Sequence, residues 1–185
     1  MKKAPTQLFI LIFALLTAQT IFAAKDLPTF SLNKDYIFID DASIPSFIDR
    51  NKTYSETQIL GIDPNKWNYN PAQFNYPKDL DANIWFRFRI NQNTYQKAYV
   101  IHLYNGMIPL FKVYQRKNDQ LVLIDSLGSI FPHALRANHY RDAVIALPYE
   151  KEVQEYYLMV NAKYYHGFDI ALRSYENLFN YALNE

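Results

Sequence analysis

Ile84-Trp85-Phe86-Arg87-Phe88-Arg89-Ile90 alternates without a break between two kinds of side chain. Successive side chains of an extended chain point to opposite faces, so Ile84, Phe86, Phe88 and Ile90 form an apolar face that belongs in a core. Trp85, Arg87 and Arg89 form the other. Guanidinium groups stack on aromatic rings and grip carboxylates with two parallel hydrogen bonds, which makes that second face a first candidate for a binding surface. The competing reading is a central strand whose polar side is covered by neighbouring chain or by water.

Upstream of this strand the chain opens with an export pattern. Lys2 and Lys3 precede an apolar run over 8–16, and Ile21-Phe22-Ala23 offers a cleavage site with a small residue at its end. Residues 1–23 are therefore read as a signal peptide and Ala24 as the mature start. An uncleaved anchor is the alternative, weakened by Thr17, Gln19 and Thr20, which interrupt a run already short of the ~20 apolar residues a span needs. No later stretch approaches that length, so a soluble mature chain is expected. An exported chain with no Cys cannot carry a lipid-modified Cys or a disulfide, and it suits the periplasm of a Gram-negative bacterium.

Removing Lys2 and Lys3 leaves 17 Lys+Arg against 18 Asp+Glu, a balance without long-range pull on nucleic acid or anionic lipid. Nucleic acid is accordingly not an expected partner. About 160 mature residues suffice for one domain with a real core. The 16 Tyr and 13 Phe favour strands. Gly61, Gly106, Gly128 and Gly167 are too scattered to build a phosphate-cradling loop.

Residues 24–78 read as a wrapping segment with one early strand, Tyr36-Ile37-Phe38-Ile39. Pro64, Pro71 and Pro77 exclude a long helix there. Trp67, Tyr69, Phe74 and Tyr76 are expected to plug apolar gaps over a sheet. Residues 79–185 complete the same domain. Strands recur at intervals of roughly ten residues over 99–104, 109–115, 121–127, 143–147, 156–160 and 168–173, the spacing of a β-sandwich. Arg116-Lys117-Asn118-Asp119 is read as a hairpin turn. A long excursion, 128–142, interrupts the series, and 175–183 is predicted to be a helix packed through Leu178, Phe179 and Leu183. The predicted fold is all-β: an antiparallel sandwich of roughly eight strands with a short C-terminal helix.

The order of these elements carries a resemblance: Tyr36 to Asp40 early, Trp85-Phe86-Arg87-Phe88 opening the sheet, Val113-Tyr114 before a hairpin, Gly128 and Arg136 ahead of Val144-Ile145-Ala146-Leu147, and Tyr156-Tyr157-Leu158-Met159-Val160 near the end. Over residues 34–175 the chain resembles the type-2 extracellular domain of the 7TMR-DISM receptors, bacterial receptors with seven membrane spans and diverse intracellular signalling modules. The resemblance implies a jelly-roll sandwich of the galactose-binding kind, similar to carbohydrate-binding modules, that senses a ligand in the periplasm. Such receptors continue into their spans where this chain stops, at Glu185, so it is read as a free-standing version or a fragment of a receptor gene, and the signal output does not carry over.

Catalytic signatures are missing. No Gly-x-Ser-x-Gly elbow and no Cys nucleophile occurs. Adjacent acids such as Asp40-Asp41 suit turns better than the facing carboxyls of a glycosidase. His102, His133, His139 and His166 have no metal-ligand spacing, so no metal and no cofactor are expected, and the chain is not expected to be an enzyme. Binding remains. Flat aromatic rings for sugar faces and planar polar groups for hydroxyls or carboxylates are supplied by Trp85, Arg87, His102 and Tyr104, with His102 expected to share the face of Trp85 and Arg87. Arg136 and His139 of the excursion and Tyr165 near the end complete the candidate set. The expected partner is a carbohydrate or small acidic ligand. The alternative is a module that docks on a periplasmic or membrane partner through an apolar patch or a free sheet edge.

Overall fold

The computed structural model describes residues 26–69, 81–92, 97–104, 108–130, 143–163 and 169–183. They form ten strands: β1 (Thr29–Ser31), β2 (Tyr36–Asp40), β3 (Ser46–Asp49), β4 (Asn83–Asn91), β5 (Tyr99–Leu103), β6 (Phe111–Lys117), β7 (Gln120–Leu127), β8 (Ala143–Ala146), β9 (Gln154–Asn161) and β10 (Asp169–Ser174). Two helices accompany them, α1 (Glu56–Leu60) and α2 (Tyr175–Leu183).

The strands make two sheets. One has six strands in the order β1-β4-β9-β6-β7, with β3 sharing the outer edge of β4; the other has four, β2-β10-β5-β8. Pairing is antiparallel except for β1, which runs parallel to β4 with Thr29 opposite Arg89. The opening strand behaves as its alternation predicts: Ile84, Phe86, Phe88 and Ile90 are all fully buried in the core between the sheets. From β9 come Tyr156, Leu158 and Val160, from β5 Tyr99, Ile101 and Leu103, and from β10 Ile170 and Leu172. Phe88 packs edge-on against Phe30 at 5.6 Å and stacks on Tyr156 at 6.4 Å. The all-β sandwich with a short C-terminal helix is thus the fold.

Three local features depart from expectation. The irregular early third holds a helix, α1, started by a capping box in which Ser55 and Gln58 satisfy each other's backbone groups. The hairpin turn narrows to Asn118-Asp119 because β6 runs on to Lys117 and β7 begins at Gln120; Asn118 takes the left-handed conformation (φ 55°) that Asn tolerates. On α2 only Leu178 enters an apolar cluster, with Val100 and Val144, whereas Phe179 and Leu183 are 59% and 69% exposed. Helical geometry explains the split: Leu178 lies on the sheet side, and Tyr175, Phe179 and Leu183 at i, i+4 and i+8 share another side.

Candidate functional site

The outer face of the six-stranded sheet is built in rows, because residues paired across strands point the same way. Trp85 on β4 lies opposite Met159 on β9, Arg87 opposite Tyr157, and Arg89 opposite Glu155; Tyr157 in turn faces Tyr114 on β6. The first two rows are roofed. Ile59 of α1, Ile62 and Trp67 close over Trp85, Tyr114, Tyr157 and Met159 in a second apolar cluster. Trp85 is only 3% exposed and stacks on Tyr114 at 5.6 Å. Arg87 lies 4.3 Å under the Trp67 ring and donates from Nη2 to the Tyr69 hydroxyl at 2.7 Å, so its cation is already covered by the roof. Trp85 and Arg87 are therefore parts of a packed layer, which corrects their expected role as an open platform. Trp67 and Tyr69 act as the predicted plugs; Phe74 and Tyr76 lie outside the described residues.

His102 and Tyr104 belong to the other sheet. On β5, Ile101 and Leu103 face the shared core, so His102 points out from the four-stranded sheet, on the opposite side of the sandwich from Trp85 and Arg87. The expected common face does not exist, because alternation assigns a side of a strand but not the sheet the strand joins. His102 is 1% exposed, with its ring 4.1 Å from Tyr104 and 5.3 Å from Tyr181 of α2. Beside it Arg173, 7% exposed, is caged by Tyr36, Tyr104 and Tyr181 at 4.6, 5.3 and 4.4 Å and donates to Asn177 at 2.5 Å and to the Tyr104 hydroxyl. This cluster anchors α2. Arg136, His139 and Tyr165 lie outside the described residues.

What stays open on the six-stranded sheet is the third row. Thr29, Arg89, Arg116, Asn118, Val153, Gln154 and Glu155 line a hollow of about 560 Å³ at the end of the face that the roof does not reach. Four strands contribute: β1, β4, β9 and β6. Glu155 Oε1 accepts from the Tyr157 hydroxyl at 2.6 Å, and its Oε2 lies 3.5 Å from Arg116. Arg116 also donates from Nε to the Asn118 carbonyl at 3.1 Å. Of these residues the sequence sets only Arg89 on a candidate binding face, while Arg116 and Asn118 are read there as turn residues. Alternation from Tyr114 would have put Arg116 on the outer face, but its meeting with Glu155 depends on the β6–β9 pairing.

Burial is the main reason the hydroxyls of Tyr114, Tyr156 and Tyr157 resist ionisation well beyond their ordinary 10.0, followed by Glu56 for Tyr114, Glu150 for Tyr156 and Glu155 for Tyr157. A folded-state value raised above the unfolded one means stability that is complete below pH 10 and lost as pH climbs through the raised values. Alkaline titration should thus show these tyrosinate absorbances at 295 nm developing only together with the loss of near-ultraviolet circular dichroism. Ionisation of Tyr157 near pH 10 in a chain still folded would contradict that packing.

Among the described residues no group of three His, Cys, Asp or Glu is placed to hold a metal ion, and no helix is long and apolar enough to cross a membrane. No curated protein matches the chain. Among solved structures it is similar to a β-glucuronidase of Ruminococcus gnavus, with a TM-score of 0.40 and 9% identity over 70% of this chain and 21% of that one. The chain thus spans about a fifth of that enzyme's length. The family model of the 7TMR-DISM extracellular 2 domain matches residues 41–174, from the turn after β2 through the last residue of β10. Over that span it takes in eight of the ten strands, β3 to β10, with both roofed rows and most of the hollow's lining, and the chain belongs to the 7TMR-DISM extracellular 2 family.

Proposed function

We propose that this chain is a periplasmic ligand-binding sensory module that recognises a carbohydrate or small acidic ligand. The observation that carries the reading is the open hollow across β1, β4, β9 and β6, lined by two guanidiniums on a rigid sheet face. Its volume lies within the ~300–1,000 Å³ usual for small-molecule sites. Family membership supports a sensory role, since the domain type is the extracellular part of signalling receptors. Export through a cleaved signal at 1–23 would deliver the chain to that compartment, and binding without chemistry accords with a sequence that lacks a nucleophile elbow and Cys.

A thermal-shift screen of the purified chain against neutral sugars, sugar acids and small organic acids tests this. A ligand at about a hundred times its Kd adds about 2.7 kcal/mol, so a rise in Tm of roughly 5–10 °C is expected from at least one compound. A panel without any shift would overturn the reading. The competing role, docking on a periplasmic or membrane partner, draws on the α2 side formed by Tyr175, Phe179 and Leu183, all substantially exposed. It predicts co-sedimentation with membranes that Phe179→Ser abolishes, and indifference to every small molecule in the panel.

A further inference from the structure

We infer that the hollow over the third row is an anion subsite for a small hydroxylated carboxylate, such as a sugar acid, with Arg89 taking the carboxylate; the inference rests on the sensory reading above and assigns its site and ligand class. The strand register sets Arg89 directly opposite Glu155, the pairing that ordinarily yields a cross-strand ion pair. Here it does not. Both Glu155 oxygens are turned elsewhere, one to the Tyr157 hydroxyl and the other to Arg116. Among the described residues the Arg89 side chain makes no ion pair, hydrogen bond or ring contact, although it is half-buried and lines the hollow.

Three other arginines of the sandwich behave differently. Arg87 is stacked under Trp67 and bonded to Tyr69, Arg173 is caged by three tyrosines, and Arg116 is held by Glu155 and the turn carbonyl. A guanidinium withdrawn partly from water and left without an acceptor is a costly arrangement that an incoming carboxylate relieves through two parallel bonds. The rest of the lining selects the body of the ligand. Among the described residues no aromatic ring borders the hollow, which leaves it without the stacking platform a neutral sugar uses. Thr29, Asn118, Gln154 and Glu155 instead offer donors and acceptors for hydroxyl groups.

Titration calorimetry on the full chain decides the point with two pairs, D-galacturonate against D-galactose, which differ by a carboxylate in place of the C6 carbinol, and N-acetylmuramate against N-acetylglucosamine, which differ by an O3-lactyl ether that carries the carboxylate. The acid of at least one pair should bind, and its neutral partner at least about tenfold more weakly, as expected for losing a charge-assisted contact. Arg89→Gln should erase the preference without lowering the Tm of the empty chain. Glu155→Gln should tighten the acid, because a competing carboxylate beside Arg116 is gone. Equal binding of acid and neutral partner, or equal binding of inorganic phosphate, would overturn the inference. So would a ligand from the thermal screen that binds wild type and Arg89→Gln alike, an outcome that leaves the sensory reading standing. A screen in which nothing binds overturns both.

Discussion

Trp67→Ala is expected to lift the roof from the six-stranded sheet while the sandwich beneath it stays folded. The indole is 3% exposed and meets Phe47 at 5.9 Å, Tyr157 at 6.0 Å and the Arg87 guanidinium at 4.3 Å. Truncating so large a buried side chain costs about 3–5 kcal/mol. The segment that Trp67 pins has little else of its own: α1 is five residues long, and residues 54–69 are tied to β3 by the backbone bonds between Ser46 and Asn68. The loss should therefore appear as local opening, with amide exchange accelerated across 55–69 and unchanged across β5 and β10. The chain has two tryptophans, so Trp67→Ala leaves Trp85 as sole reporter. Its emission should shift to the red and become quenchable by acrylamide. Trp67→Phe should restore much of the cover, since the Trp67 indole N–H has no acceptor among the described residues and its burial carries an unpaid desolvation cost. Blue, unquenched Trp85 emission in Trp67→Ala would show that the roof does not depend on this contact.

Gly128→Ala should be strongly destabilising for the addition of a single methyl group. Where β7 ends, Gly128 passes over the Pro109-Leu110 backbone with φ +147°, and an added Cβ would stand 2.2 Å from the Pro109 carbonyl oxygen and 2.8 Å from the Leu110 Cα. Both obstacles are backbone, so no side chain can rotate away. The crossing is also fastened on the far side, by Ser129 N–H to the Ile108 carbonyl at 2.9 Å and Ile130 N–H to the Pro109 carbonyl at 3.2 Å. Relief requires breaking these bonds or bending β6 where it starts. A cost of about 3 kcal/mol or more follows from strain plus displaced backbone, a fall in Tm of roughly 6–12 °C. Gly61→Ala is the control, because its φ is ordinary and its nearest atoms lie 3.7 and 3.9 Å from the added carbon. Equal Tm values for the two variants would refute the crossing geometry.

Legibility differed from one residue to the next for physical reasons. The burial of Ile84, Phe86, Phe88 and Ile90 could be read directly, as could the inward placement of Tyr99 and Tyr156, because a period of two is a property of the extended backbone itself. The capping box Ser55-x-x-Gln58 was present as a signal for α1, yet five residues give too little periodicity to stand out among prolines and asparagines. β1, three residues long and parallel to β4, carries no local signature at all. Trp85 and Arg87 were correctly set on the outward face, but their closure by Trp67 is a contact between distant parts of the chain.

By itself, the amino-acid sequence determined the strand alternation, the all-β sandwich and the family, since these depend on side-chain order along each strand and on the order of strands. Only the tertiary structure decided what each outward face meets. It sent His102 and Trp85 to opposite sides of the sandwich, roofed two rows of the larger sheet, and turned Glu155 away from Arg89 toward Arg116 and Tyr157. Those outcomes depend on which strands pair and in what register. Residues far apart in the chain set both, and no local pattern of polar and apolar residues encodes them.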